Sequence, residues 1–396
     1  MAEIEMTLPT GGSAKIEIEG PAKMVLTTQG APSLSFGKFS ASISAAYGEF
    51  VLETPCGQVL VSEDSSLGIA VFGTEIEVHV FTGRAVVASP WASETRAPEK
   101  FTVETGKSIR LSASDSGQFK VERHSANPEY FASQISMSSD ELSIPPEYVK
   151  DILHASPLLY WRFNGAPDGT VRNEIGERFR GKVVGSPKWV RENDNQTIEF
   201  GADGTNAVQK AYVKSTDSFD DLLSANYSVE VWIKPSHFHL GSLVSFVQDS
   251  PIHGEVGMHG MLLELGGVGT MPTLIEHPGR IRFLHRDPPS NDITLGTSCF
   301  SRTPYELRKW THIIAAKDGP EMRLYINGEL VAAGQDKSEL SPGLLMIVGQ
   351  LDQQRTMRAF IGQMDELAVY NRALSAEEAQ QHYQRVRLKH DSGRSI

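Results

Sequence analysis

Cysteine is almost absent from this chain: Cys56 and Cys299 are its only two. Two isolated thiols exclude a disulfide scaffold, a CxxC redox centre and a cysteine-ligated zinc site. No run of about 18 apolar residues occurs, so no segment reads as a membrane-crossing helix. The opening stretch MAEIEMTLPTGGSAKIEIEG lacks the apolar centre of a signal peptide. Basic charge is scarce as well, with 37 Lys and Arg against 49 Asp and Glu and a formal net charge of −12. Without a basic patch to neutralise phosphates, nucleic acid is not an expected partner. A Gly-x-Ser-x-Gly elbow, a phosphate loop and a dinucleotide fingerprint are all missing.

What remains is ordinary soluble composition, 40% apolar and 22% charged, in a chain of 396 residues that is long for one core. Two domains are expected. Residues 1–125 read as short β segments. Ala14, Ile16 and Ile18 alternate with Lys15, Glu17 and Glu19 before Gly20-Pro21, which is expected to turn the chain. Ile76, Val78 and Val80 alternate in the same way. Further strands are expected at Phe50–Glu53, Val59–Val61, Ile69–Phe72 and Ile109–Leu111. Many short strands without an amphipathic helix suggest a roll, a sandwich or a short solenoid. Residues 126–156 are serine-rich and broken by Pro145-Pro146, and they read as a linker carrying a short helix over Glu147–Leu153.

A second β domain is expected over residues 157–390. In YSVEVWIKPS, Val229, Val231 and Ile233 share one strand face and Trp232 takes the other. Two hairpins follow, one connected through Asp318-Gly319 and one through Asn327-Gly328, the type I′ signal. Strands apolar on both faces imply two stacked sheets. The chain closes with GQMDELAVYNRALSAEEAQQHY, a strand, a turn and a helix. Ser375 and Glu378 have capping-box spacing, Leu374 and Ala379 stand at staple positions, and Ala379, Tyr383 and Val386 share a helical face.

These residues carry a resemblance. LLYWRF, GKVVGSPKWV, YSVEVWIKPS, KWTHIIAAKDGPEMRLYINGEL and the closing strand and helix follow the order of LamG-like jelly rolls of the concanavalin A-like lectin/glucanase fold. The first domain resembles the FecR-type domain of bacterial envelope signalling proteins through GGSAKIEIEGPAKMVLT, GKFSAS, FVLETPCGQVLVSEDSSLGIAVFGTEIEVHVFTGRAVV and FTVETGKSIRL. The fold expected is therefore all-β: an N-terminal FecR-like roll or sandwich, then a concanavalin A-like jelly roll closed by a short helix. FecR-type domains followed by LamG-like domains resemble an arrangement in planctomycete-type bacteria. The FecR-like resemblance implies a periplasmic location, an upstream membrane helix and a cytoplasmic segment that binds a sigma factor. Because the chain enters a β pattern at once, its reading frame is expected to continue N-terminally of Met1.

Carboxylate chemistry is weighed first, because the fold that the second domain resembles also hosts glucanases. Retaining glycosidases hold two carboxyl groups about 5–5.5 Å apart. The Glu-x-Asp-x-x-Glu strand motif that the resemblance would supply is absent. Asp220-Asp221 and Asp365-Glu366 are adjacent pairs, expected to point to opposite strand faces, with Asp365 bonded to a neighbouring turn. No catalytic residue is therefore assigned. His237 with His239, and His253 with His259, invite a zinc reading but lack a cysteine or a spaced carboxylate beside them. Calcium suits the LamG-like resemblance better, with Asp287 and Asp352 as its expected ligands.

The stretch GRIRFLHRDPPSND supplies the expected ligand site: His285, Arg286, Asp287 and Asp292, gathered where Pro288-Pro289 ends a strand. Such a group can bind sugar hydroxyls or a carboxylate, and the plainer alternative is a strand-end ion pair. Trp161, Trp189, Trp232 and Trp310 fit core or edge packing better than a sugar platform, whereas Trp91 is expected to be exposed. The functional expectation is a non-enzymatic, membrane-tethered envelope sensor whose second domain binds a glycan or protein. A glycan-active enzyme and a purely structural surface protein are the alternatives.

Overall fold

A computed structural model describes residues 2–7, 12–26, 31–44, 49–62, 64–72, 75–89, 99–113, 119–131, 141–192, 194–201, 211–220, 223–236, 239–248, 257–267, 279–302, 304–354 and 358–392. The chain divides into two units, Met1–Ser138 and Ser139–Ile396. Trp91, His237 and His253 lie outside the described residues.

The first unit is built from β1 (Ala2–Thr7), β2 (Ser13–Val25), β3 (Ser33–Ser44), β4 (Phe50–Thr54), β5 (Gly57–Val61) and β6 (Ser65–Phe72). They are followed by β7 (Glu75–Thr82), β8 (Arg84–Ala88), β9 (Lys100–Glu104), β10 (Lys107–Ala113) and β11 (Phe119–Ser125). All eleven join one sheet in the order β11-β10-β7-β6-β3-β4-β5-β8-β9, with β2 on β3 and β1 on β2. The sheet curls around a single apolar core, because alternation sends Ile16, Leu52, Val59, Leu67, Val78 and Leu111 to one side. One expectation fails here. Gly20-Pro21 does not reverse the chain: β2 runs through it, and the pairing with β3 slips between Glu19 and Lys23. A bulge tolerates glycine and proline inside a strand, and sequence alone does not separate it from a turn.

The second unit opens with α1 (Pro146–His154), then β12 (Leu159–Trp161), β13 (Thr170–Val171), β14 (Gly181–Val184), β15 (Lys188–Glu192), β16 (Asn195–Phe200) and β17 (Tyr212–Ser215). Its middle holds β18 (Asn226–Pro235), β19 (Gly241–Gln248), β20 (His259–Leu265), β21 (Ile281–Ser290) and β22 (Thr297–Phe300). It ends with β23 (Thr311–Asp318), β24 (Glu321–Ile326), β25 (Glu329–Gln335), β26 (Leu344–Val348), β27 (Gly362–Tyr370) and α2 (Ala376–Ser392).

Two antiparallel sheets result. One runs β15-β16-β27-β18-β23-β24-β25, with β12 also on β27; the other runs β13-β14-β17-β26-β19-β20-β21-β22. They stack face to face, and Tyr227 of β18 meets Phe283 of β21 edge-on at 6.3 Å between ring centroids. This is the expected all-β jelly-roll sandwich. Asn327 and Gly328 take φ of 51° and 79°, as a type I′ turn demands, and a Cβ on Gly328 would lie 3.0 Å from the Gln380 backbone. The capping box also forms: the Ser375 amide donates to Glu378 Oε2 at 2.9 Å, and the Glu378 amide donates to Ser375 Oγ at 3.2 Å.

The helices correct the expected linker. α1 is part of the second unit, with Tyr148 and Ile152 wholly buried in a cluster with Trp232, Ile314, Ala368 and Leu374. Together α1 and α2 cover the outer face of the β27-β18-β23 sheet. Residues 142–155 therefore belong to the fold of the second unit, despite their serines and prolines.

Candidate functional site

The strand-end cluster expected around His285 does not assemble. β21 continues through Pro288-Pro289 to Ser290, and successive side chains leave on opposite faces. His285 is fully buried, with ring nitrogens 2.8 Å from the Tyr227 hydroxyl and 3.2 Å from the Ser338 carbonyl. Burial, with Lys317 nearby, pushes its pKa down to about 4. Arg286 is buried too, donating from Nη1 to the Ser290 carbonyl at 2.7 Å, so no ion pair with Asp287 forms. Burial first and Arg282 second lower its guanidinium to about 10. Asp287 and Asp292 are exposed and separately engaged: Ser341 Oγ donates to Asp287, and Asp292 caps its own turn through Thr294 at 2.9 Å.

The expected calcium ligands are likewise apart in their bonding. Asp352 is buried and accepts the Gln354 amide at 2.8 Å. Among the described residues, no three His, Cys, Asp or Glu side chains gather as a metal-holding group. Of the histidines weighed for zinc, His239 accepts the Ile361 amide at 3.0 Å and His259 is buried. Trp161 and Trp232 are core residues, and Trp189 and Trp310 are partly buried.

The carboxylates hold a surprise. Opposite β18, Glu230 pairs with Ala368 and Trp232 with Asp365, so β27 carries one extra residue at this point, and Glu366 has a φ of 51°. That bulge puts Asp365 and Glu366 on the same, helix-covered face, where adjacency had implied opposite faces. Asp365 accepts from Asn195 at 2.6 Å, at the β15–β16 turn, as expected. Glu366 accepts from the Tyr160 hydroxyl and from Arg162 Nε at 3.0 Å. Both carboxyls are wholly buried. Burial pushes Glu366 up to about 7, and burial together with the Glu366 charge raises Asp365 well above the usual carboxylate range.

Beside them lies Glu230, a residue the sequence reading passed over. It accepts from His312 at 2.8 Å, Tyr370 at 2.8 Å, His382 at 3.1 Å and Tyr148 at 3.2 Å. Burial pushes its carboxyl up, yet His382 and the hydrogen bonds from both histidines hold it far below the ordinary range. The same pairing lifts His382 above its ordinary pKa against the effect of burial. This network is buried under α1 and α2 and ties both helices to the sheet.

An accessible concavity lies where Arg162 emerges. A cleft of about 460 Å³ is lined by Arg162, Asp168, Arg172, Glu174 and Arg180, with Asn164 and Gly165 among its loop residues. Its walls are the β12–β13 and β13–β14 connections. Asn173, buried between them, ties both: its Oδ1 accepts the Tyr160 and Ile175 amides at 2.9 and 3.2 Å, and its Nδ2 donates to the Arg178 carbonyl at 2.8 Å. Trp161 Nε1 donates to the Phe179 carbonyl at 2.8 Å, and Phe179 stacks on Phe219 with centroids 4.7 Å apart. Gly165, at φ 102°, occupies backbone space that side-chain-bearing residues rarely adopt. The cleft is thus preformed and mixed in lining, with Phe163, Pro167 and Val171 beside its polar groups, and it is rimmed by three guanidinium groups. Its sequence signal was available: residues 162–180 hold Arg162, Arg172, Arg178 and Arg180 among glycines, in an acidic chain.

With this geometry in view, comparison with known proteins places part of the second unit. Residues 203–380 match the family described as the concanavalin A-like lectin/glucanases superfamily. No curated protein matches the chain. Among solved structures, domain 4 of AbnA, a GH43 extracellular arabinanase from Geobacillus stearothermophilus in complex with arabinotriose, is 16% identical, with a TM-score of 0.41 over 58% of this chain and 98% of that one. The receptor-binding domain of botulinum neurotoxin type G is 15% identical, with a TM-score of 0.39 over 58% of this chain and 51% of that one. A heptameric SAP-like pentraxin from Limulus polyphemus is 16% identical, with a TM-score of 0.33 over 43% and 73% of the respective chains. Residues 203–380 of this chain therefore form a concanavalin A-like domain of the lectin and glucanase superfamily.

Proposed function

We propose that this chain is a non-enzymatic binding protein whose second unit recognises a glycan or protein ligand. The carrying observation is the preformed, arginine-rimmed cleft beside β12, of a volume in the range that small ligands occupy (about 300–1,000 Å³). The paired carboxyls Asp365 and Glu366, by contrast, are buried beneath the helices, where no glycosidic bond can lie between them. We further read the first unit as FecR-like, the extracytoplasmic part of a membrane-tethered regulator that signals to a sigma factor. What supports that half is the strand sequence that resembles FecR-type domains, together with its all-β build around one core. A weak individual site, micromolar to millimolar or about −8 to −4 kcal/mol, would still report a polymer through avidity.

Binding of the intact chain to an array of glycans and envelope polysaccharides tests the first half. Retention of at least one class is expected, and an array without retention sinks the reading. Fractionation of cells carrying the native gene tests the second half, with the chain expected in the envelope fraction. Turnover of labelled polysaccharide by the intact chain would overturn the non-enzymatic reading.

A further inference from the structure

The cleft is more basic than the chain that carries it. Three guanidinium groups face two carboxylates, Asp168 and Glu174, while the whole chain carries −12. The arginines are also incompletely used. Arg162 gives its Nε to Glu366 and keeps part of its side chain exposed. Arg180 pairs with Glu177 through Nη2, but its Nε is buried and has no hydrogen-bond partner among the described residues. Arg172 is exposed, and no hydrogen bond or ion pair holds it among the described residues. A ligand entering the cleft strips water from these donors. A neutral sugar returns only hydroxyl dipoles, leaving Arg172 partly desolvated without a counter-charge. A carboxylate or sulfate returns charge and two acceptor oxygens in the spacing of a guanidinium fork.

We propose that the cleft binds an acidic glycan, a sugar bearing a carboxylate or sulfate, with Arg172 and Arg180 taking the anion and Glu174 and Asn164 taking ring hydroxyls. This rests on the reading of the second unit as a glycan-binding domain and names its ligand class. Arg162, fixed from behind by Glu366, forms the inner wall against which the sugar ring lies. Uronate and sulfate esters offer the same anionic oxygens, and separate probes distinguish them.

The test is calorimetric titration of the intact chain with an oligogalacturonide, a sulfated oligosaccharide and a neutral oligosaccharide of equal length, at low and at high salt. One of the acidic probes is expected to bind at least roughly tenfold more tightly than the neutral one, and to weaken as salt screens the charges. Arg172→Gln and Arg180→Gln are each expected to weaken acidic binding roughly tenfold or more while leaving the melting temperature in place. Arg172 is exposed, so its substitution keeps the test valid even where Arg180→Gln impairs folding. Preference for the neutral probe overturns the acidic assignment but leaves glycan binding standing. Acidic binding unaffected by Arg172→Gln overturns the cleft as its site. Failure of all three probes to bind overturns the inference, and the glycan reading itself falls only when an array of neutral and acidic glycans is also blank.

Discussion

Arg162 Nε donates to the fully buried Oε1 of Glu366 at 3.0 Å, while the same side chain keeps 24% of its surface exposed in the cleft. One residue thereby joins the helix-covered carboxyl pair to the accessible surface. The pair's protonation state is consequently a property that stability measurements can read.

Glu366 has a folded pKa pushed up to about 7 from an ordinary value of 4.5, so the folded state holds a proton that the unfolded chain has lost between those values. Stability from this group is therefore complete below about pH 4.5 and falls as pH rises towards 7, by at most about 1.4 kcal/mol per pH unit. His382, raised by Glu230, adds loss of the same sign as pH climbs through its folded pKa. Glu230, depressed, contributes in the opposite direction, losing stability as pH drops below its ordinary range. Urea unfolding from pH 4.5 to 8 should show declining stability, and Glu366→Gln should flatten that decline. An unaltered slope in the variant would contradict the assignment.

Glu230→Gln should destabilise the second unit by about 3–5 kcal/mol, because it strips the charge from a buried network and leaves His382 without its anion. Chemical denaturation measures it. A loss under 1 kcal/mol would mean the helices do not depend on this carboxylate.

The boundary of the second unit yields a sharper test. A fragment starting at residue 139 should fold, whereas one starting at residue 157 lacks α1 and leaves Trp232 and Ile314 uncovered. Loss of Tyr148 and Ile152 alone removes on the order of 3–6 kcal/mol of apolar burial. Equal melting temperatures for the two fragments would restore residues 142–155 to the status of a linker.

Asn327→Ala combined with Gly328→Val should cost at least about 2 kcal/mol. Both positions need positive φ, the Asn327 side chain accepts the His312 amide at 2.9 Å, and a Cβ at Gly328 presses on α2. Thermal melts of the double variant check this, and an unchanged transition would refute the turn assignment.

Local rules made much of the second unit legible. The Asn327-Gly328 turn, the Ser375–Glu378 box and the alternation of Val229, Val231 and Ile233 each depend on residues close in sequence. What escaped depends on partners far away. Asp365 and Glu366 share a face only because β18 is one residue shorter across from them, and a single strand does not reveal that. His285 looked like a ligand because His, Arg and Asp sat side by side, but strand alternation buried it against Tyr227. α1 looked like a linker because its serine and proline flanks hide the two residues that dock it. Gly20-Pro21 has turn chemistry and forms a bulge, a distinction set by the neighbouring strand β3.

The central claim is that the second unit binds its ligand in the cleft beside β12. Hydrogen–deuterium exchange of the intact chain, with and without a saturating glycan retained from the array, tests it most directly. Slowed exchange confined to residues 162–182 is the predicted result. Protection at residues 282–292, with none over 162–182, would contradict it.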